Sequence, residues 1–537
     1  MGCARLGYGA TVYPGHYAID HPDRACFVMA DTGETVTNRQ YDERCNRLAH
    51  LLRATGLQVG DHYAIYMENN STYLETCGAG ERAGLYYTAV NSHLTAEELA
   101  YIVDNSESRV LITSAAKRDV AVAALRDCPG ATLCLVVDGG DSRPTDVRDG
   151  LTVRDYQSAT IDQPSSPIGD ERLGMAMLYS SGTTGRPKGI LRPLPDEPPG
   201  HLTPLYTFLR NLWHYREDMV YLSPAPLYHS APQAAVGLTL RMGGTVIIME
   251  RFDPEQYLAL VEQYSVSHSQ LVPTMFGRML KLPDEVRNRY DLSSLEIVVH
   301  AAAPCPIPVK EQIIEWWGPI VHEYYGATEA IGFTACDSHQ WLAHRGTVGS
   351  VLMGVLHILD DDMQPCPIGT PGTIWFATPN PVNYFNDPDK SRDAASPDGT
   401  MSTVGDVGYV DDEGYLYLTD RKTFMIISGG VNIYPQETEN LLVTHPKVAD
   451  AAVFGVPNVD LGEDVKAVIE PMPGIEPGPE LERELIEFCQ QHLSRQKCPR
   501  TVDFTLQLPR LPTGKLYKRV LRDQYWGDQA SRIQQSG

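Results

Sequence analysis

The residues with the plainest chemical meaning lie between Tyr179 and Ile190, in the run Tyr-Ser-Ser-Gly-Thr-Thr-Gly-Arg-Pro-Lys-Gly-Ile. Gly182, Gly185 and Gly189 carry no Cβ and let a ligand approach the backbone. Ser180, Ser181, Thr183 and Thr184 supply hydroxyl donors, and Lys188 supplies a point charge. Together these groups suit a polyphosphate cradle. The spacing is not that of a P-loop, because no Gly-Lys-Ser/Thr run closes it. A flexible surface turn is the ordinary alternative, yet such a turn has no need of a hydroxyl cluster and a lysine directly after the apolar run Met175-Ala-Met-Leu178. Two other patterns carry less. Gly78, Gly80 and Gly84 imitate a dinucleotide fingerprint, but they sit in a helical pattern with no strand ahead, so helix packing explains them better. No Gly-x-Ser-x-Gly nucleophile elbow exists, which weighs against an α/β-hydrolase.

The surrounding elements explain how such a loop is held. From about residue 35 to 290, short apolar runs such as HYAIYME, RVLIT, TLCLVVD, GGTVIIM and LEIVVH alternate with amphipathic stretches such as YDERCNRLAHLLRATG and PEQYLALVEQYS. That alternation predicts βαβ units and parallel sheets. After about residue 345 the texture changes to short β-runs with Gly/Pro turns, GTPGTIWFAT and GYVDDEGYLYLTD, as in a small barrel or antiparallel sheet. A last α+β unit follows, with PQETENLLVTH, ADAAVFGVP, VKAVIEP and LERELIEFCQQHL. The fold class is therefore α/β: a large N-terminal domain of parallel-sheet subdomains plus a small β-barrel, and a smaller mobile α+β C-terminal domain. The boundaries fall at 1–420, a hinge at 421–424, and 425–537.

Composition limits what the chain can meet. Its 537 residues carry 44 Lys+Arg against 68 Asp+Glu, a formal charge of −24, so the average surface repels nucleic acid and anionic lipid. A phosphate-bearing ligand must then be held by a local site. The N-terminus lacks the apolar core of a secretory signal, and the charge-poor run Met219 to Leu240 is broken by Pro224, Pro226 and Pro232, so no stable membrane anchor is expected. Leu6 stands where a myristoylation pattern wants Ser or Thr. Eleven scattered cysteines without a CxxC pair fit reduced thiols and a cytoplasmic location. No HExxH, EF-hand loop or His/Cys quartet suggests a dedicated metal cage.

Further motifs follow in order: PLYHSAP at 226–232, HAAAPCP at 300–306, YYGATEA at 324–330, VGDVGYVDDEGYLYLTDRK at 404–422, GGVNIYPQETE at 429–439 and LPTGKLYKR at 511–519. With the loop at 179–190, this ordered set resembles the adenylate-forming superfamily of acyl-CoA synthetases, luciferases and peptide-synthetase adenylation domains, over nearly the whole chain. The resemblance implies that the loop from Ser180 through Thr183, Thr184 and Lys188 holds the β- and γ-phosphates of ATP. It implies that Tyr325, with Gly326, stacks on adenine against the Ala302-Ala303-Pro304 backbone, that Thr328 touches the α-phosphate, and that Glu329 ligates Mg²⁺. Asp406 matches the acid that binds the ribose hydroxyls, with Arg421 assisting. Lys515 matches the lysine that reaches the α-phosphate and the substrate carboxylate, and Gly429 and Gly430 match the loop lining the coenzyme A tunnel.

Each role has a plain competitor. Lys515 alone is a surface lysine, Glu329 a helix N-terminal charge, Asp406 a turn cap, and His229 a core histidine as readily as a gate beside the acyl pocket. Physical sense supports the functional reading: joining a carboxylate to ATP brings an anion to a polyanion, and Lys515 with Mg²⁺ would neutralise it. The stretch Tyr228-His-Ser-Ala231 lacks the carboxylate an amino-acid substrate needs, and the chain after Lys515 is too short for a carrier domain. The expected activity is therefore AMP-forming ligation of a fatty, aromatic or alicyclic acid to coenzyme A, with a homodimer compatible with this reading. A luciferase-like oxygenase would share these residues, and a non-catalytic nucleotide-binding regulator would be expected to lose Lys515, Glu329 or Asp406. Departures occur at Thr423, at Thr403-Val404, and at Ala301 and Ala302, where relatives often have glycine. Ala231, Ala234, Ala235, Gly237 and Ala301 to Ala303 fit a roomy acyl pocket and fit close helix packing equally well.

Overall fold

The computed structural model of the 537-residue chain describes residues 12–140, 145–180, 186–378, 381–421, 424–428, 431–510 and 516–526. Internal contacts divide it into two units: Met1–Gln270 with Asp284–Val298 and Asn383–Asp389, and Leu271–Pro283 with Val299–Val382 and Lys390–Gly537.

In the first unit the predicted alternation forms. Strands Met175–Ser180, Tyr86–Ala89, His62–Tyr66, Ser108–Ser114, Leu133–Val137 and Leu151–Asp155 lie side by side in that order, all parallel. The four inner strands, Tyr86–Ala89, His62–Tyr66, Ser108–Ser114 and Leu133–Val137, are buried along almost their whole length because helices cover parallel sheets on both faces. Lys188–Ile190 and Tyr384–Phe385 extend one edge antiparallel. A second sheet runs His268–Leu271, Val220–Ser223, Thr245–Ile248 and Ala25–Met29 in parallel, closed by Thr35–Thr37 antiparallel.

Local signals fix the helices between them. Helix Asn38–Ala54 starts at a reciprocal capping box of Thr37 and Gln40, and Ala96–Asn105 starts at one of Thr95 and Glu98. Helix Tyr73–Ala83 uses its glycines for packing, as expected: a Cβ on Gly80 would come within 3.0 Å of Tyr63 Cε1 and Tyr87 Cδ1. Pro232 stands in the first turn of helix Ser230–Arg241, where its missing N–H costs nothing.

The second unit is mainly antiparallel. Val321–Gly326, Phe333–Cys336 and Ser350–Met353 pair in sequence. The Gly/Pro-punctuated region forms a sheet ordered Val355–Leu359, Gly372–Ala377, Asp406–Val410 and Leu416–Arg421, with Met401–Ser402 on Gly372–Ala377. The last part pairs the long strands Val448–Asn458 and Gly462–Pro471, with helices Pro435–Leu442 and Pro479–His492 and a core that includes Ile426, Val453, Ala467 and Leu485. Among the described residues no helix is long and apolar enough to cross a membrane.

Candidate active site

In the first unit, Ser180 ends strand Met175–Ser180 directly opposite Lys188, so the antiparallel register brings the two ends of the glycine-rich loop together. Ser181, Gly182, Thr183, Thr184 and Gly185 lie outside the described residues. The flanks are tied down. Tyr179 Oη donates to Asn105 Oδ1 at 2.6 Å, Tyr101 Oη donates to the Pro187 carbonyl at 3.2 Å, and the Arg186 guanidinium lies over the Tyr101 ring. The Lys188 ammonium sits 4.5 Å from the centre of the Tyr384 ring. Gly189 packs closely, since a Cβ there would meet Met177 Cε at 2.9 Å and Tyr179 Cζ at 3.1 Å and those side chains would have to shift.

His229 is the N-cap residue of helix Ser230–Arg241, with extended backbone and no side-chain capping bond. Its ring meets Tyr228 edge-on at 4.5 Å, and Nε2 has no hydrogen-bond partner among the described residues. Burial, with His93 adding, pushes its pKa down to about 3, so the imidazole is neutral at physiological pH. Sequence reading missed the residue that sets the approach to it. Asn69 donates to the Ala225 and Met249 carbonyls at 3.3 and 2.9 Å and accepts the Leu227 N–H at 2.9 Å, a partner 158 residues away. One of two adjacent asparagines, Asn69 and Asn70, in a polar stretch gives no signal for that.

In the second unit, the residues expected at adenine and ribose meet. Tyr325 stands near the end of strand Val321–Gly326, and its Oη donates to Asp406 Oδ2 at 2.8 Å, across 81 residues. Asp406 begins its strand opposite Arg421 in register, although the Arg421 side chain lies outside the described residues. Gly405 precedes it at φ +80°, and its N–H donates to Thr403 Oγ1, which gives the unusual Thr403 a role in the turn. Ala302 adopts φ +75°, a left-handed conformation that costs an alanine about 1 kcal/mol, in the loop after strand Ile297–His300. Glycine is the residue that adopts this backbone shape most readily, so the chain holds it without the permissive residue. Ala303 and Pro304 follow in the same loop, half-buried. Thr328 and Glu329 lie half-buried in the turn after Gly326, with Ala330 at φ +54°. Gly429, Gly430, Thr423 and Lys515 lie outside the described residues.

Behind that loop and strand lies a charge cluster the sequence did not announce. The fully buried Lys310, on helix Ile307–Trp317, places Nζ 2.5 Å from Glu323 Oε2 and 4.7 Å from the centre of the Trp341 ring. His300 Nε2 is 3.4 Å from the same carboxylate oxygen, without hydrogen-bond alignment. Burial and the Lys310 charge hold the imidazole well below its ordinary pKa. Glu323 precedes Tyr324 and Tyr325, and His300 precedes Ala301 and Ala302, so the cluster braces both segments from inside.

The sequence profile of the AMP-binding enzyme family matches residues 16–383, and that of the AMP-binding enzyme C-terminal domain matches residues 437–515. The long-chain-fatty-acid–CoA ligase FadD13 of Mycobacterium tuberculosis is 30% identical over 515 residues, covering 94% of this chain and 96% of that one. A feruloyl-CoA synthase of Amycolatopsis sp is 33% identical over 497 residues, covering 92% and 94%. ATP-bound MatB from Rhodopseudomonas palustris superposes with a TM-score of 0.76 at 28% identity, covering 96% of this chain and 99% of that one. The chain belongs to the AMP-binding enzyme family, within the adenylate-forming superfamily. It is an enzyme of the AMP-forming acid–thiol ligase class.

Proposed function

We propose that the enzyme activates a carboxylic acid with ATP and passes the acyl group to coenzyme A. In the first step the carboxylate attacks the α-phosphorus, forming acyl-AMP and releasing pyrophosphate. In the second the coenzyme A thiol attacks the acyl carbonyl, a thioester forms, and AMP leaves. The observation that carries this reading is the 2.8 Å bond between Tyr325 and Asp406, which joins the two groups assigned to adenine and ribose in a chain of this family.

In the proposed site the loop Ser180 to Gly185 and Lys188 hold the β- and γ-phosphates, and Ala302, Ala303, Pro304, Tyr325 and Gly326 enclose adenine. Thr328 bonds the α-phosphate, Asp406 and Arg421 hold the ribose, and Gly429 and Gly430 border the pantetheine arm. Glu329 suits Mg²⁺, which takes one or two carboxylates and completes its shell with phosphate oxygens and water; bound there, the ion would spread the charge of the phosphates. His229, kept neutral, can stand beside a carboxylate without pairing with it. The body at 1–420 carries the phosphate, adenine and magnesium groups with Asp406 and His229, Arg421 opens a hinge at 421–424, and 425–537, with Gly429 and Gly430, moves about that hinge to deliver and then withdraw Lys515. The relatives named above act on unlike acids, a long-chain fatty acid and feruloyl, so the family alone does not set the acid.

Lys515→Ala tests the reading. Pyrophosphate release from acid and ATP should fall by about 10²–10³, as for loss of one preorganised charge at the reacting phosphoryl group. Thioester formation from supplied acyl-AMP and coenzyme A should persist. Equal loss of both half-reactions would contradict it.

A further inference from the structure

Helix Ser230–Arg241 runs from the His229 cap to a buried arginine. Gln233, Val236, Gly237, Leu240 and Arg241 share one face, and with Tyr73, Cys77 and Glu81 of helix Tyr73–Ala83 they line a cavity of about 20 Å³. At a rise of about 1.5 Å per residue, Arg241 lies about 18 Å along the helix axis from His229. Its lining runs from Leu227, two residues before His229, to Arg241 at the other end of the helix, so the cavity is placed for the acyl part of an acid whose carboxylate lies beside His229. That placement rests on the function proposed above.

The polar lining is unbalanced in one direction. Arg241, 2% exposed, donates from Nη1 to the Pro199 carbonyl at 2.6 Å and from Nη2 to Glu81 Oε2 at 2.7 Å. Tyr87 Oη donates to the other Glu81 oxygen at 3.1 Å, and Gln233 donates to Cys77 Sγ. Two donors are left over: Arg241 Nε and the hydroxyl of the fully buried Tyr73 have no hydrogen-bond partner among the described residues. Burial holds the Tyr73 phenol protonated, so it remains a donor. Buried donors without acceptors cost about 1–3 kcal/mol each, and two of them on residues that line one cavity point to a guest that accepts.

The cavity and its charge narrow that guest. The Arg241 charge is already matched by Glu81, so a second carboxylate would sit there uncompensated, and the space admits an oxygen-sized group rather than a ring. We propose that the acid this enzyme activates carries a neutral oxygen, a carbonyl or hydroxyl, at the end remote from its carboxylate, and that Tyr73 Oη and Arg241 Nε donate to it. Tyr73 and Arg241 are then specificity residues for the acyl group.

The test is acid-dependent ATP–pyrophosphate exchange by the full chain, over chain-length series of ω-oxo, ω-hydroxy, methyl-ended and dicarboxylic acids. At the favoured length the oxygen-ended acids should exceed the methyl-ended acid about tenfold in kcat/KM, and dicarboxylates should rank last. Tyr73→Phe removes one hydroxyl and should bring the oxygen-ended acids down about tenfold, leaving methyl-ended acids within about twofold and the melting temperature unchanged. Brisk exchange with no preference for a terminal oxygen, or a preference that survives Tyr73→Phe, would overturn this proposal while leaving the ligase reading standing. No exchange with any acid, including unsubstituted fatty and aromatic acids, would overturn both.

Discussion

Lys310–Glu323 in the second unit and Arg241–Glu81 in the first are both buried ion pairs, but they are built differently. Lys310 is enclosed by its carboxylate and the Trp341 face, and Glu323 is only 5% exposed at the side chain. Arg241 is as deeply buried, yet its carboxylate is 17% exposed, shares its load with Tyr87, and borders a cavity. The Lys310–Glu323 pair is enclosed on both sides and serves as a brace between a helix and the strand that carries Tyr325, although both ring nitrogens of the neighbouring His300 lack hydrogen-bond partners among the described residues. The second pair leaves donors unspent and space beside them. Two pairs of similar burial thus differ in what they can do, and the difference lies in the exposure of the carboxylate and the space beside it rather than in charge.

The comparison can be broken by removing the cation from each pair. Lys310→Met strands Glu323 in the interior and should cost about 3–5 kcal/mol in a urea titration, whereas Lys310→Met with Glu323→Leu should recover most of it. If the single variant melts like the parent, the brace is not a brace. Arg241→Met should cost less, about 2 kcal/mol, because Glu81 keeps the Tyr87 donor and reaches solvent. A loss equal to that of Lys310→Met would mean that the cavity-bordering pair is as closed as the other.

The smallest effect separates them by pH. His300, facing Glu323, is held neutral in the fold by burial and by Lys310. Above pH 6.5 the folded and unfolded chains both carry it uncharged. Below that the unfolded chain takes up a proton that the folded chain refuses, so stability is lost as pH falls. Between pH 6.5 and 5.5 this amounts to about 1 kcal/mol, and His300→Gln should remove that part of the acid slope. His229 works in the same sense, from 6.5 down to about 3, and would retain its share in the variant.

Much of this was readable from the chain. The alternation of apolar runs with amphipathic stretches pointed to the parallel sheets because each element reports its own period locally; the capping boxes at Thr37 and Thr95, found in the structure, are signals of the same local kind. The loop around Lys188 was legible as chemistry because hydroxyls, glycines and a charge cluster there at short range, whereas Tyr325 and Asp406 were legible only through the resemblance of the ordered motifs to a known superfamily. Asn69, Lys310, Glu323, Tyr73 and Arg241 were not. Each is one polar residue in a segment that reads as ordinary helix, strand or loop, and its partner lies in another segment.

What the sequence determined by itself was the family, the class of reaction and the order of elements, since these are written in local pattern and in motifs read along the chain. Only the tertiary structure decided which groups meet: Tyr325 with Asp406 across 81 residues, Arg241 with Glu81 across 160, and Leu227 with Asn69 across 158. The physical reason is that such contacts are set by which strands and helices pack side by side. A buried polar group declares itself only once the space around it is closed and its partners can be counted.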